Sequence, residues 1–184
     1  LVENGQITCH ALPFTMHTSL LDKELAENMF LWTDDYCEKY GKPFPIAAKL
    51  TDVPGHTSGI IAPLVKRGVK FLHIGKNGAS PAPDVPNLFW WEDKNGVRIL
   101  TMYDKLYGSG LLPPKGWKYP VYLALLNTND NQGAQSEEFV ASLKGKVGDK
   151  YEYRTASLNE FAEALLQCDL SGIPIIRGEL SDTW

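Results

Sequence analysis

Two side chains in this sequence have types and spacing that suit bond-making chemistry: Asp52 and His56, on the short stretch Asp52-Val53-Pro54-Gly55-His56-Thr57. A carboxylate can act as nucleophile, general base or ligand of a hard cation, and an imidazole can carry a proton or bind a metal. Pro54 and Gly55 set a tight turn between them. The plainer reading makes Asp52 only the cap of the following helix, but Thr57 and Ser58 are equally placed to cap it. Further polar residues fall at or just beyond the ends of apolar runs: His10, His73 with Asn77, Tyr103 with Asp104, residues 127–131, and residues 177–179. His17 lies on the loop beyond His10. If the runs are parallel strands, these side chains meet on one rim, where α/β folds collect ligands. A rim of this make-up suits a divalent metal held by His and Asp, with zinc favoured by mixed nitrogen and oxygen ligands. It equally suits paired carboxylates at a glycosidic bond. Spacing does not choose between them. Trp90, Trp91, Tyr107 and Trp117 can stack on sugar rings or anchor loops to the sheet.

The elements that must carry these residues follow from periodicity. Residues 46–50 and 69–74 are short apolar runs flanking an amphipathic segment, 58–66, which reads as a βαβ unit closed by Gly68. Residues 6–10 form a strand candidate, and residues 19–40 hold apolar positions at helical spacing that stop at Gly41 and Pro43. Asn95-Gly96 marks a hairpin between 90–92 and 97–103. Strands are expected at 121–126, 151–154 and 173–176, and helices at 136–143 and 157–167. The second of these helices opens on a Ser157-to-Glu160 capping box. The loops 75–87 and 104–120 are long enough to be functional. The alternation of elements predicts an α/β fold, either an open sheet or most of a barrel.

Composition narrows the function. The chain has 184 residues, 43% hydrophobic and 22% charged, with a net charge of −4, the profile of an ordinary globular domain. There is no basic run for nucleic acid and no apolar stretch of the ~20 residues that would span a membrane. No G-x-G-x-x-G, P-loop or H-E-x-x-H occurs. Cys9, Cys37 and Cys168 lack metal-ligand spacing and are expected to be mostly buried thiols. Residues 1–184 read as a single domain excised from a larger catalytic domain, with the rest of the parent chain as a partner. No compartment or oligomeric state follows.

The motif at Asp52 resembles the strand-end sequence Asp-Pro-Phe-Gly-His-Ser of glycoside hydrolase family 38 α-mannosidases. Residues 68–75 (GVKFLHIG), 155–161 (TASLNEF) and 173–180 (IPIIRGEL) are similar to other segments of that catalytic domain. Residues 7–22 (ITCHALPFTMHTSLLD) and 178–184 resemble an uncharacterised family-38-like bacterial group. The resemblance implies a partial seven-stranded β/α barrel, of the type shared with polysaccharide deacetylases, and a zinc-dependent retaining glycosidase acting on a carbohydrate. Asp52 would be nucleophile and zinc ligand, the remaining ligands belonging to segments outside this chain. His10, His17, His56, Tyr103 and Asn131 would contact substrate. The sequence also departs from the family. Cys9-His10-Ala11 stands where the family has Gly-Gly-Trp, Pro54 replaces the Phe of the motif, and Asn129-Asp130-Asn131 replaces Gly-Asp-Asp. Asn131 cannot protonate a leaving group, so Asp130 is the nearest acid for that role. Two other readings accompany the glycosidase: a metal-dependent deacetylase using His10, His17 and Asp52, and a carbohydrate-binding module without catalysis.

Overall fold

A computed structural model of the chain describes residues 1–53, 55–108, 110–125 and 135–181. The fold is mixed α/β. Its five-stranded sheet has the order β1 (Ala47–Asp52), β2 (Phe71–Lys76), β4 (Arg98–Asp104), β3 (Leu88–Glu92), β5 (Ile175–Arg177). The first three of these neighbours run parallel, with Ala47 opposite Phe71 and Phe71 opposite Leu100. β3 returns antiparallel to β4, as the Asn95-Gly96 turn requires. Gly96 takes φ 80°, and Asp93 Oδ1 accepts from the amides of Asn95 and Val97 at 2.8 and 2.9 Å.

Strand alternation sorts the core into two layers. Ala48, Leu50, Leu72, Ile74, Phe89, Trp91 and Ile99 belong to one, which packs on Ile60, Ile61 and Leu64 of the 3-10 turn Ser58–Ile60 and of α3 (Ile61–Lys66). Ala47, Phe71, Leu88, Leu100 and Met102 belong to the other, with Phe161, Ala162 and Leu165 of α5 (Leu158–Leu166). Each fully buried large side chain stabilises the fold by ~2 kcal/mol. α5 covers only the amino-terminal half of its face. Toward the carboxyl ends of β1, β2 and β4, that same face presents Lys49, Thr51, His73 and Asp104 in place of apolar residues.

Ser157 and Glu160 form the expected capping box. The helix expected over 19–40 is divided. Thr18–Leu20 is a 3-10 turn, Asp22 accepts from the Leu25 amide and starts α1 (Lys23–Asn28), and α2 (Leu31–Tyr40) ends on left-handed Gly41. α4 spans Glu137–Val147, four residues beyond its expected end. Residues 6–10 form no strand; just beyond them the chain meets β1, through Ala11 N–H to the Ala47 carbonyl at 2.8 Å and through Thr15 Oγ1, which donates to the Thr51 carbonyl and accepts from the Thr51 amide. Residues 121–125 also lack strand structure. There the Val121 carbonyl accepts from the Trp117 indole at 2.8 Å, and Tyr119 and Tyr122 pack edge-on against Trp117. Residues 151–154 are mostly exposed and have no partner strand among the described residues, so their alternation had nothing to pair with. The cysteines are free, and only Cys37 is buried.

The runs are not all parallel: besides β3, β5 runs against β1, β2 and β4. It pairs parallel with β3, placing Arg177 beside Glu92, level with Arg98 at the start of β4. The chain then crosses to the loop after β1. His56 and Leu180 exchange two backbone hydrogen bonds of 3.0 Å, and Glu179 accepts from the Ser58 amide and hydroxyl, both at 2.8 Å.

Candidate functional site

β1 ends at Asp52 in a left-handed conformation, φ 79°, the one such non-glycine residue among those described. This conformation costs about 1 kcal/mol for an L-residue with a side chain, less for Asp than for most. The reversal takes the carboxylate out of the strand's alternation. Asn77, one residue past β2, donates to Asp52 Oδ1 at 2.7 Å, and the Tyr107 hydroxyl donates to the same oxygen at 2.8 Å. Asn77 also donates to the Tyr107 oxygen at 2.8 Å, closing a three-membered ring of contacts. Capping of the next turn falls to Thr57, which accepts from Gly59, so Asp52 is not committed to it. Tyr107 reaches Asp52 because the loop after β4 lies directly on Gly75. A Cβ at that glycine would stand 2.6 Å from the Tyr107 carbonyl oxygen and 3.0 Å from that of Leu106. Only glycine permits such an approach.

The second cluster is deeper. His73 and Asp104 lie on adjacent strands, Nε2 to Oδ2 at 2.7 Å, with His73 fully enclosed and Asp104 6% exposed. Asn87 donates to Asp104 Oδ1 at 2.8 Å and to the Tyr103 carbonyl at 3.0 Å. Burial lowers the pKa of His73 despite the opposing pull of Asp104. The ring is therefore neutral, its Nε2–H donates to Asp104, and Nδ1 carries a buried lone pair with no partner among the described residues. Lys49 stands opposite His73 on β1 and donates to Thr51 Oγ1; burial lowers its pKa while Asp104 opposes the shift. His10 reaches the same neighbourhood from the amino-terminal loop. Its pKa is lowered to about 4, first by burial, then by Lys49 and His73. The Tyr122 phenol is pushed up to about 12 by burial and then by Asp104, so it stays protonated. A cleft of about 250 Å³ opens here, with Asn87, Tyr103, Asp104, Lys105 and Tyr122 in its walls. A wider groove of about 630 Å³ beyond the carboxyl end of α5 is lined by none of the predicted site residues.

The structure thus places Asp52 with Asn77 and Tyr107, and His10 with Lys49 and His73. Tyr103 is 3% exposed, framing Asn87 with its backbone and one wall of the cleft. His56 is 2% exposed, and its Nδ1 lies 3.1 Å from Thr18 Oγ1, turned toward the amino-terminal loop. His17 is exposed, and its carbonyl accepts from the Leu20 amide. Asp130 and Asn131 lie outside the described residues. Lys49 and Asn87 were not anticipated. A lysine inside an otherwise apolar strand was the available signal for the first, and nothing local marks the second.

Among the described residues the donor set does not by itself assemble a zinc site. No group of three or more His, Cys, Asp or Glu side chains suited to a metal gathers among the described residues, and Asp52 supplies one carboxylate whose Oδ1 already accepts twice.

No protein-family model matches the chain, and no curated protein matches it. Among solved structures it is similar to an alpha-mannosidase from Enterococcus faecalis V583, with a TM-score of 0.72 over 97% of this chain at 17% identity. The chain spans 23% of that protein's length. The fold is therefore alpha-mannosidase-like.

Proposed function

We propose that the chain is part of a glycosidase-like hydrolase acting on a carbohydrate, with Asp52 as its nucleophile. The observation that carries this reading is the geometry of Asp52. It is a partly exposed carboxylate at the end of a parallel strand, held in a left-handed conformation, with both of its hydrogen bonds on Oδ1. Residues kept in uncommon backbone regions by their surroundings cluster at functional sites. Likeness of fold to an alpha-mannosidase supports the choice of reaction, though fold alone does not fix function.

In this reading Asn77 and Tyr107 orient the carboxylate and leave Oδ2 to attack the anomeric carbon. A glycosyl ester forms as the leaving oxygen takes a proton, and water then hydrolyses the ester with retention. Asp130 is the proposed proton donor. The sheet belongs to a larger β/α barrel completed by other parts of the parent chain. Zinc enters the proposal only as an ion for which Asp52 is one ligand and the others come from outside the described residues; no step above passes through it.

The test uses the full-length protein and its Asp52→Asn variant. Aryl-glycoside hydrolysis and zinc content are measured together, and a slowly hydrolysed fluoroglycoside is used to trap the ester. Mass added to the Asp52 peptide is the expected result. Turnover that survives Asp52→Asn overturns the assignment, and acetate release without glycosidic cleavage replaces it with deacetylation.

A further inference from the structure

The cleft beyond β4 is not needed by the chemistry assigned to Asp52, yet it is a built site. We propose that it binds one neutral polyhydroxylated ring, with Asp104 and Asn87 Oδ1 accepting hydrogen bonds from its hydroxyls. The inference deepens the carbohydrate reading and rests on it for choosing a sugar among polyols.

The first ground is an unpaired acceptor. Asn87 donates through Nδ2 to both the Tyr103 carbonyl and Asp104 Oδ1. Turning the amide over would set its oxygen against two acceptors, so the orientation is fixed. Oδ1 is then a buried acceptor in the cleft residue Asn87, with no partner among the described residues. Buried acceptors of this kind are usually satisfied by a ligand or water.

The second ground is preorganisation. Asp104 is clamped from behind by His73 and from the side by Asn87, so its carboxylate does not have to be ordered when a ligand arrives. Tyr122, protonated across the neutral range, stands in the same wall and adds no charge to it.

The third ground is the balance of charge and surface. In the cleft wall one acidic side chain, Asp104, is matched by one basic side chain, Lys105, and the His73 ring behind Asp104 is neutral. Neither an acid nor an amine is favoured by that balance. Val85, Leu112 and Pro114 supply apolar walls, against which the C–H face of a sugar ring packs. A volume of about 250 Å³ lies just under the ~300–1,000 Å³ of sites for drug-sized ligands, which suits one ring.

Titration calorimetry of the full-length protein with glucose, glucosamine and glucuronate tests this. Glucose is expected to bind saturably and more tightly than either charged analogue. Asn87→Leu should weaken it by about tenfold. Because Asn87 also braces Asp104, a second variant, Leu112→Trp, fills the cleft from a position 48% exposed and should abolish binding without loss of fold. Binding should persist in Asp52→Asn. Absence of saturable glucose binding, tighter binding of a charged analogue, or unchanged affinity in Leu112→Trp each overturn the proposal. Cleft binding without glycoside cleavage sinks the hydrolase reading alone. Asp52-dependent cleavage with glucose binding indifferent to Leu112→Trp sinks the cleft alone.

Discussion

Asp52 and Asp104 close the two strands that flank β2, yet they are held in opposite ways. Asp52 has left the strand conformation, is partly exposed, and is held by neutral donors from two loops. Asp104 keeps regular strand geometry, is 6% exposed, and is held by a ring on the neighbouring strand. The Leu106–Tyr107 backbone lies on Gly75, which stands beside both positions in the sheet register, opposite Thr51 on one side and Asp104 on the other. A carboxylate that must react needs one free oxygen and a rigid approach. A carboxylate that lines a pocket needs each oxygen anchored once, with a lone pair left over for the ligand. Asp52 is held in the first way and Asp104 in the second, which is what the two proposed roles require.

The largest effect should come from the exposed member. Asp52→Asn should cut glycoside turnover in the full-length protein by on the order of 10⁴. Stability should stay within about 1 kcal/mol, since Asn accepts a left-handed backbone readily. Equal losses from Asp104→Asn would erase the distinction drawn here. The buried member should show the reverse pattern. His73→Leu leaves Asp104 short of a donor in a closed environment and should cost about 3 kcal/mol in urea unfolding, with a smaller fall in turnover.

Gly75→Ala probes the barrier between them. Its Cβ would collide with backbone rather than with a movable side-chain tip, so about 2 kcal/mol of stability should be lost. Tyr107→Phe removes one donor from Asp52 and should lower kcat by about tenfold. If Gly75 acts by placing Tyr107, the two substitutions combined should be less damaging to kcat than their product.

The smallest effect is one of pH. His10 has a folded pKa of about 4, below its ordinary value of 6.5, so the unfolded chain takes up the proton first. Its contribution is complete above about pH 6.5 and is lost as pH falls toward 4. His73 shifts in the same direction, facing Lys49 and Asp104. Stability measured across that window should therefore decline with acid. His10→Gln should flatten the curve, and an unchanged slope would leave His73 alone responsible.

The sequence made one side of this comparison visible. Asp52 sits in a compact motif beside two turn residues, and the βαβ unit around it, the Asn95-Gly96 hairpin and the Ser157 capping box all depend on contacts a few residues long. The His73–Asp104 pair depends on register between strands 31 positions apart. Both residues fall at the ends of apolar runs in the sequence, but nothing local says that they face each other. The reversal of β5 was hidden for the same reason: Ile175–Arg177 reads as a strand in either direction, and only pairing with β3 sets its sense. At 121–125 and 151–154, aromatic and alternating residues gave strand signals that the described tertiary structure does not use. The split of residues 19–40 lay within reach, because Asp22 with Leu25 three positions on is a recognisable cap.

The clasp between His56 and Leu180 joins positions more than a hundred residues apart, and the loop it closes begins at Asp52. Loop-closure entropy must be met before such distant contacts form, so they come late in folding. On a growing chain, β1 through β4 leave the ribosome well before residues 175–180 are made. The turn carrying Asp52 is thus laid down early and latched last, and the protein acquires its shape before it acquires its proposed site.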